Sequence, residues 1–216
     1  MRNSSSETLA GCTACPRLAN FLAEVRQKHP LYHSLPVAPF GDPSASFLIV
    51  GLAPGMHGAN RSGRPFTGDH AGILLYQTLH RFGFATRAES VAADDGLELI
   101  AARITNAVKC LPPQNKPEPA EIRTCNRYLA EELVSSTPVR VILALGSVAH
   151  KAVLMAYGLK QAAAVFAHGA RHELPDGRIL FDSYHCSRYN TQTRRLTAER
   201  FADVFKAARA ELDRQG

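Results

Sequence analysis

Cysteine spacing gives the first indication of chemistry in this sequence. Cys12 and Cys15 form a C-x2-C pair beside Pro16, whereas Cys110 and Cys125 have fourteen residues between them. Four thiolates suit a tetrahedral zinc or a 4Fe-4S cluster. One close pair with two dispersed partners departs from the doubled C-x2-C spacing of a zinc ribbon. The spacing leaves both an iron–sulfur cluster and zinc open, with the cluster favoured. The competing reading makes Cys110 and Cys125 small buried hydrophobes, a common fate of free cysteine. Cys186, the odd one out, is expected to be buried and to hold no metal.

These residues need a scaffold, and the apolar pattern supplies one. Phe47 to Val50 is a continuous apolar run that stops at Gly51, as in a strand buried on both faces. Arg103–Val108, Val139–Leu145 and Arg178–Tyr184 read as further strands, the last entered through a turn at Pro175-Asp-Gly177. Helices are expected over 17–28, 71–82, 120–135, 147–157 and 197–214. In the third of these, Ile122, Cys125, Leu129 and Leu133 recur at three- and four-residue spacing. The four prolines between His29 and Pro43 mark an extended surface connection. Strands alternating with helices imply a single three-layer α/β/α domain over residues 1–216, with a mostly parallel central sheet and a cysteine-bearing N-terminal segment. Ligands of such sheets bind at the carboxyl ends of the strands, where the loops 51–69, 106–116 and 185–195 begin.

With 45% hydrophobic and 20% charged residues, the chain is expected to fold around a core and not to remain disordered. A net charge of +6 is compatible with a phosphate-rich partner. No apolar run reaches the roughly 18 residues of a membrane span. The polar stretch Met1–Ala10 lacks the apolar core of an export signal. A cytoplasmic protein is expected, in which disulfides are disfavoured and grouped cysteines more often hold metal.

Three segments carry a family resemblance. They are Gly51-Leu-Ala-Pro-Gly-Met-His-Gly-Ala-Asn-Arg-Ser-Gly-Arg-Pro-Phe-Thr-Gly-Asp69, Ile104-Thr-Asn-Ala-Val-Lys-Cys-Leu-Pro-Pro113 and Ser183-Tyr-His-Cys-Ser-Arg-Tyr-Asn-Thr-Gln-Thr-Arg-Arg-Leu-Thr197. With the cysteines, their order and strand-end placement resemble the uracil-DNA glycosylase superfamily, specifically its type-b, or family 5, branch. The resemblance implies a monomeric DNA-repair enzyme that hydrolyses the bond between uracil and deoxyribose and leaves an abasic site. Hypoxanthine and xanthine are further substrates it suggests. It also implies a structural 4Fe-4S cluster on Cys12, Cys15, Cys110 and Cys125.

The same resemblance assigns roles at the strand ends. His185 would donate to the departing base, and Asn106 would read its edge with an amide that offers both donor and acceptor. Phe66 would stack on the base, with Gly51 and Ala53 beside it. Ala53 stands where many relatives carry a polar group that positions water, so Asp69 is the nearest acidic candidate for that task or for stabilising the sugar cation. Asp69 would also serve as a helix N-cap. Asn60, Arg61, Arg64, Ser187, Arg188, Asn190 and Arg195 are the expected DNA contacts, with Tyr189 and Arg194 nearby; a solvated basic loop is the bland reading. Cys186 replaces the proline of the His-Pro-Ser form, which puts the details of that loop in doubt. The rival functions are a cluster-bearing DNA-binding module without turnover and a protein that captures uracil-containing DNA covalently.

Overall fold

The computed structural model describes residues 9–135 and 138–214. Its centre is a six-stranded sheet in the order β1-β3-β2-β4-β6-β5. The strands are β1 (Phe40–Gly41), β2 (Phe47–Gly51), β3 (Ala102–Asn106), β4 (Val141–Leu145), β5 (Arg171–Glu173) and β6 (Ile179–Ser183). The inner four run parallel and the two edges antiparallel. Every residue of β2, β4 and β6 is buried, as expected of strands covered on both faces.

Strand periodicity divides the core into two layers. Phe47, Ile49, Val141 and Leu143 point to one face, where they meet Leu75, Leu79, Phe201 and Phe205. Those partners come from α3 (His70–Arg81) and α7 (Ala198–Arg214). Leu48, Val50, Ile142 and Ala144 point the other way, toward Leu129, Ala149 and Val153. They are carried by α4 (Pro119–Ser135) and α5 (Ser147–Ala156). The expected three-layer α/β/α arrangement is present. A third cluster gathers Leu18, Leu22 and Val25 of α1 (Pro16–Lys28) with Val108, Leu111 and Tyr128. It carries Cys12, Cys15, Cys110 and Cys125.

Sequence periodicity missed both edge strands. β1 lies inside the stretch read as an extended connection, and at two residues it is too short to show alternation. β5 is polar and half exposed, because an edge strand buries little. The turn after it forms as expected: Leu174 N–H donates to the Arg178 carbonyl at 2.8 Å, and Gly177 takes φ +82°. Two short helices, α2 (Ala59–Ser62) and α6 (Arg188–Gln192), interrupt loops read as irregular. Among the described residues, no helix is long and apolar enough to cross a membrane.

Candidate active site

Parallel pairing of β2 with β3 sets Gly51 directly opposite Asn106. The Asn106 amide lies over Gly51, where a Cβ would collide with Oδ1 and stand 2.7 Å from the Phe66 ring. Glycine is required there to make room. Asn106 is buried, and its Oδ1 has no hydrogen-bond partner among the described residues. An unpaired buried amide oxygen is costly unless a ligand satisfies it.

Phe66 is held by the loop that follows β2. Its φ of +54° is unfavourable for a residue with a side chain, so neighbours must impose it. Tyr76 Oη donates to the Pro65 carbonyl at 2.9 Å. Gly72 of α3 lets the Phe66 carbonyl approach so closely that any Cβ there would clash. The Phe66 and His185 rings face each other at 5.9 Å and 29°.

Asp69 takes the N-cap position expected of it. One carboxylate oxygen accepts from Gly72 N–H at 2.8 Å and caps α3. The other faces the turn at Gly55 and Gly58, and a side chain at Gly58 would displace it. Burial raises the Asp69 pKa above the ordinary carboxylate range, against the lowering effect of backbone donors from Gly72 and Ala71.

His185 follows β6 by two residues. Burial pushes its pKa down to about 4, so the ring is neutral at pH 7. Asn190 turns inward and donates to the His185 carbonyl at 2.8 Å, while Ser187 caps α6. Both shape the loop that presents His185.

Leu52, Ala53, Phe66, Asp69, Asn106 and His185 line one cavity of about 440 Å³, within the usual range of small-ligand sites. The predicted base-binding and catalytic residues therefore converge, with Gly51 as the spacer beneath them. A larger groove of about 710 Å³ continues from it and shares Asp69, His70, Asn115 and Arg188. Asn115 and His70 were not anticipated. His70 Nε2 lies 3.0 Å from Thr191 Oγ1 and joins the Asp69 and His185 loops, a link that becomes visible only when the two loops meet.

The expected DNA contacts divide. Arg61, Arg188 and Arg195 are exposed, Arg195 over the Tyr184 ring at 4.4 Å, and Tyr189 is 70% exposed at the tip of α6. Asn60 and Arg64 are corrections: both are buried and cannot reach a duplex. Arg64 pairs with Asp95 at 2.6 Å and donates to Thr67 at 2.9 Å and Ser90 at 2.6 Å. It braces the loop from within.

Cys12, Cys15, Cys110 and Cys125 line one small cleft with Leu9, Leu18 and Tyr128. Burial and the nearness of the other sulfurs push the Cys110 thiol up to about 12. Burial also raises Cys15 and Cys125, whereas Cys12 is lowered, against burial, by hydrogen bonds from Tyr128, Ala14 and Arg127; four sulfurs facing one cleft are a donor set that fits a thiolate-bound metal group. Cys125 accepts from the Lys109 N–H at 3.3 Å, and Arg127 approaches Cys12 at 3.6 Å. Cys186 stands apart in the main core, fully buried.

Comparison with known proteins identifies the family. Residues 38–209 match the Uracil DNA glycosylase superfamily. A type-5 uracil-DNA glycosylase of Thermus thermophilus is 47% identical over 96% of this chain and 97% of its own length. One from Pyrobaculum aerophilum is 41% identical, covering 94% and 90%. A type-4 uracil-DNA glycosylase of Sulfurisphaera tokodaii is 31% identical, covering 78% and 72%. With likeness of this extent and a strand-edge cavity of this composition, the chain belongs to the uracil DNA glycosylase superfamily.

Proposed function

We propose that this protein removes uracil from DNA by hydrolysing the N-glycosidic bond, leaving an abasic site. The observation that carries this reading is the convergence of Asn106, Phe66, Asp69 and His185 on one cavity beside a groove edged by Arg188. A base inside a duplex is out of reach, so the nucleotide swings out into the cavity. Phe66 stacks on it, and the unpaired Asn106 amide oxygen accepts from the ring N–H of uracil.

Breaking the bond leaves positive charge on the sugar and negative charge on the base. A neutral His185, with a pKa near 4, donates an N–H to the base oxygen but is too weak a base to carry a proton away at pH 7. It stabilises the developing anion by hydrogen bonding. The Asp69 carboxylate favours the sugar cation and orients water. The water oxygen bonds to C1′, its proton passes to Asp69 or to solvent, and uracil departs with the bonding electron pair. Lys109 lines the cysteine cleft and contacts Thr105 and Glu132, so it is no Schiff-base nucleophile for this cavity. Arg61, Arg188 and Arg195 contact phosphates, and Tyr189 enters the gap in the stack. Hypoxanthine and xanthine are accepted by the same cavity.

The four cysteines would hold a 4Fe-4S cluster, which would tie the segment before α1 to the loop after β3 and to α4, a structural role. The test is an oligonucleotide panel with uracil, hypoxanthine and xanthine, run on wild type, Asp69→Asn and His185→Ala. Release of uracil by wild type, with strong losses in both variants, is expected. No release from any substrate, or equal release by His185→Ala, would overturn the reading.

A further inference from the structure

His150, His172 and Asp182 belong to neither site described above. They come from α5, β5 and β6 and meet on the sheet face covered by α4 and α5. His150 Nδ1 lies 2.8 Å from one oxygen of Asp182, and His172 Nε2 lies 3.1 Å from the other. One donor atom from each residue falls within 4.8 Å of the rest. Asp182 is fully buried, His150 nearly so, and His172 is 18% exposed.

The hydrogen bonding of His150 constrains what lies between these groups. Its Nε2 is 3.1 Å from the Ala164 carbonyl, which can only accept, so Nε2 carries the hydrogen. A neutral ring then presents its Nδ1 lone pair to a carboxylate oxygen at 2.8 Å. Two lone pairs at that distance need a positive centre between them; at 2.8 Å it is a proton, which an entering metal ion would replace while moving the two atoms to about 3.3 Å. His172 brings a second imidazole nitrogen to the same carboxylate. Two imidazoles and a carboxylate are a common ligand set of zinc, and water completes the tetrahedron. A backbone carbonyl on the far nitrogen of a ligating histidine is the usual outer support of such sites. Phe166 packs edge-on against His150 at 5.7 Å and keeps the surroundings apolar. The partly exposed His172 marks the side open to an entering ion.

We propose that His150, His172 and Asp182 bind one zinc ion, independently of the four cysteines. The ion joins α5 and the edge strand β5 to β6 and steadies that strand from the face away from α3 and α7. The proposal does not rest on the glycosylase reading, and its metal counts are made with iron on the four cysteines.

The test uses the full chain, purified without air, and measures iron and zinc in the same sample by mass spectrometry. One zinc per chain is expected in wild type after desalting. His172→Gln and His150→Ala should retain at least about tenfold less zinc at unchanged iron, and Cys12→Ser should lose iron but keep zinc. Zinc chloride added to chelator-treated wild type should raise the melting temperature by about 5 °C or more and leave His172→Gln unmoved. Zinc content that does not depend on the histidines, or a wild-type melting temperature indifferent to zinc, would overturn the proposal and leave a proton between His150 and Asp182. If His150→Ala fails to fold, His172→Gln and the wild-type melts decide the matter.

Discussion

Two loops close over the same cavity and are built in opposite ways. The loop from Gly51 to Asp69 is braced inward throughout. Arg64 reaches Asp95, Thr67 lies 2.7 Å from Ser90, Tyr76 holds Pro65, and glycines at 51, 58 and 72 permit close approaches. The loop from Tyr184 to Leu196 is braced mainly within itself, by Ser187, Asn190 and Thr193, and it turns Arg188, Tyr189, Arg194 and Arg195 outward. One is a mould fixed before any ligand arrives. The other places one histidine in the cavity and turns its remaining long side chains to the surface, where the proposed function sets DNA.

The sharpest way to break this division is at His185. His185→Ala should lower turnover on uracil-containing DNA about 100- to 1000-fold, the usual cost of one donor to a developing anion. Duplex binding should be retained, and single-turnover kinetics beside a binding titration would check both. Next is Arg64→Ala, which leaves Asp95 without its guanidinium. A loss of about 3 kcal/mol is expected in chemical denaturation, with phosphate contacts unchanged. A large change in the salt dependence of DNA binding would show that Arg64 touches DNA after all.

The same pair gives a pH prediction. Although burial opposes it, Arg64 and the backbone donors of Leu97, Val91 and Ala92 hold the Asp95 carboxyl well below its ordinary value near 3.8. Its folded pKa is depressed, so its stabilisation is present above pH 4 and is lost as pH falls through the folded value. Arg64→Ala should flatten that acid limb in a stability profile. The smallest effect is expected in the outward loop. Arg195→Ala should reduce the slope of log K against log salt by about one, similarly for every duplex sequence.

The legibility of the sequence follows the same contrast. Buried parallel strands are continuous apolar runs, so β2, β4 and β6 could be read directly. β1 and β5 pair at edges, where two or three residues carry no period. The cysteine set was legible from the spacing of Cys12 and Cys15, and the roles expected of Asn106 and His185 came from the family resemblance of their strand-end motifs. Asn60 and Arg64 were misread because a glycine-rich stretch looks alike whether its polar side chains face in or out. What turns Arg64 inward is Asp95, thirty-one positions later in a segment without a motif. The His150, His172 and Asp182 group left no local trace, since its members come from three separate elements.

The one-to-one facing of Gly51 and Asn106 has a consequence for how such a chain can change length. Successive side chains of a strand alternate between faces, so losing one residue within β3 would turn the Asn106 amide to the opposite side of the sheet. Insertions in the connection between α3 and β3 carry no such penalty. Relatives that diverge by gaining or losing residues should therefore do so in connections, with β2 and β3 kept at constant length.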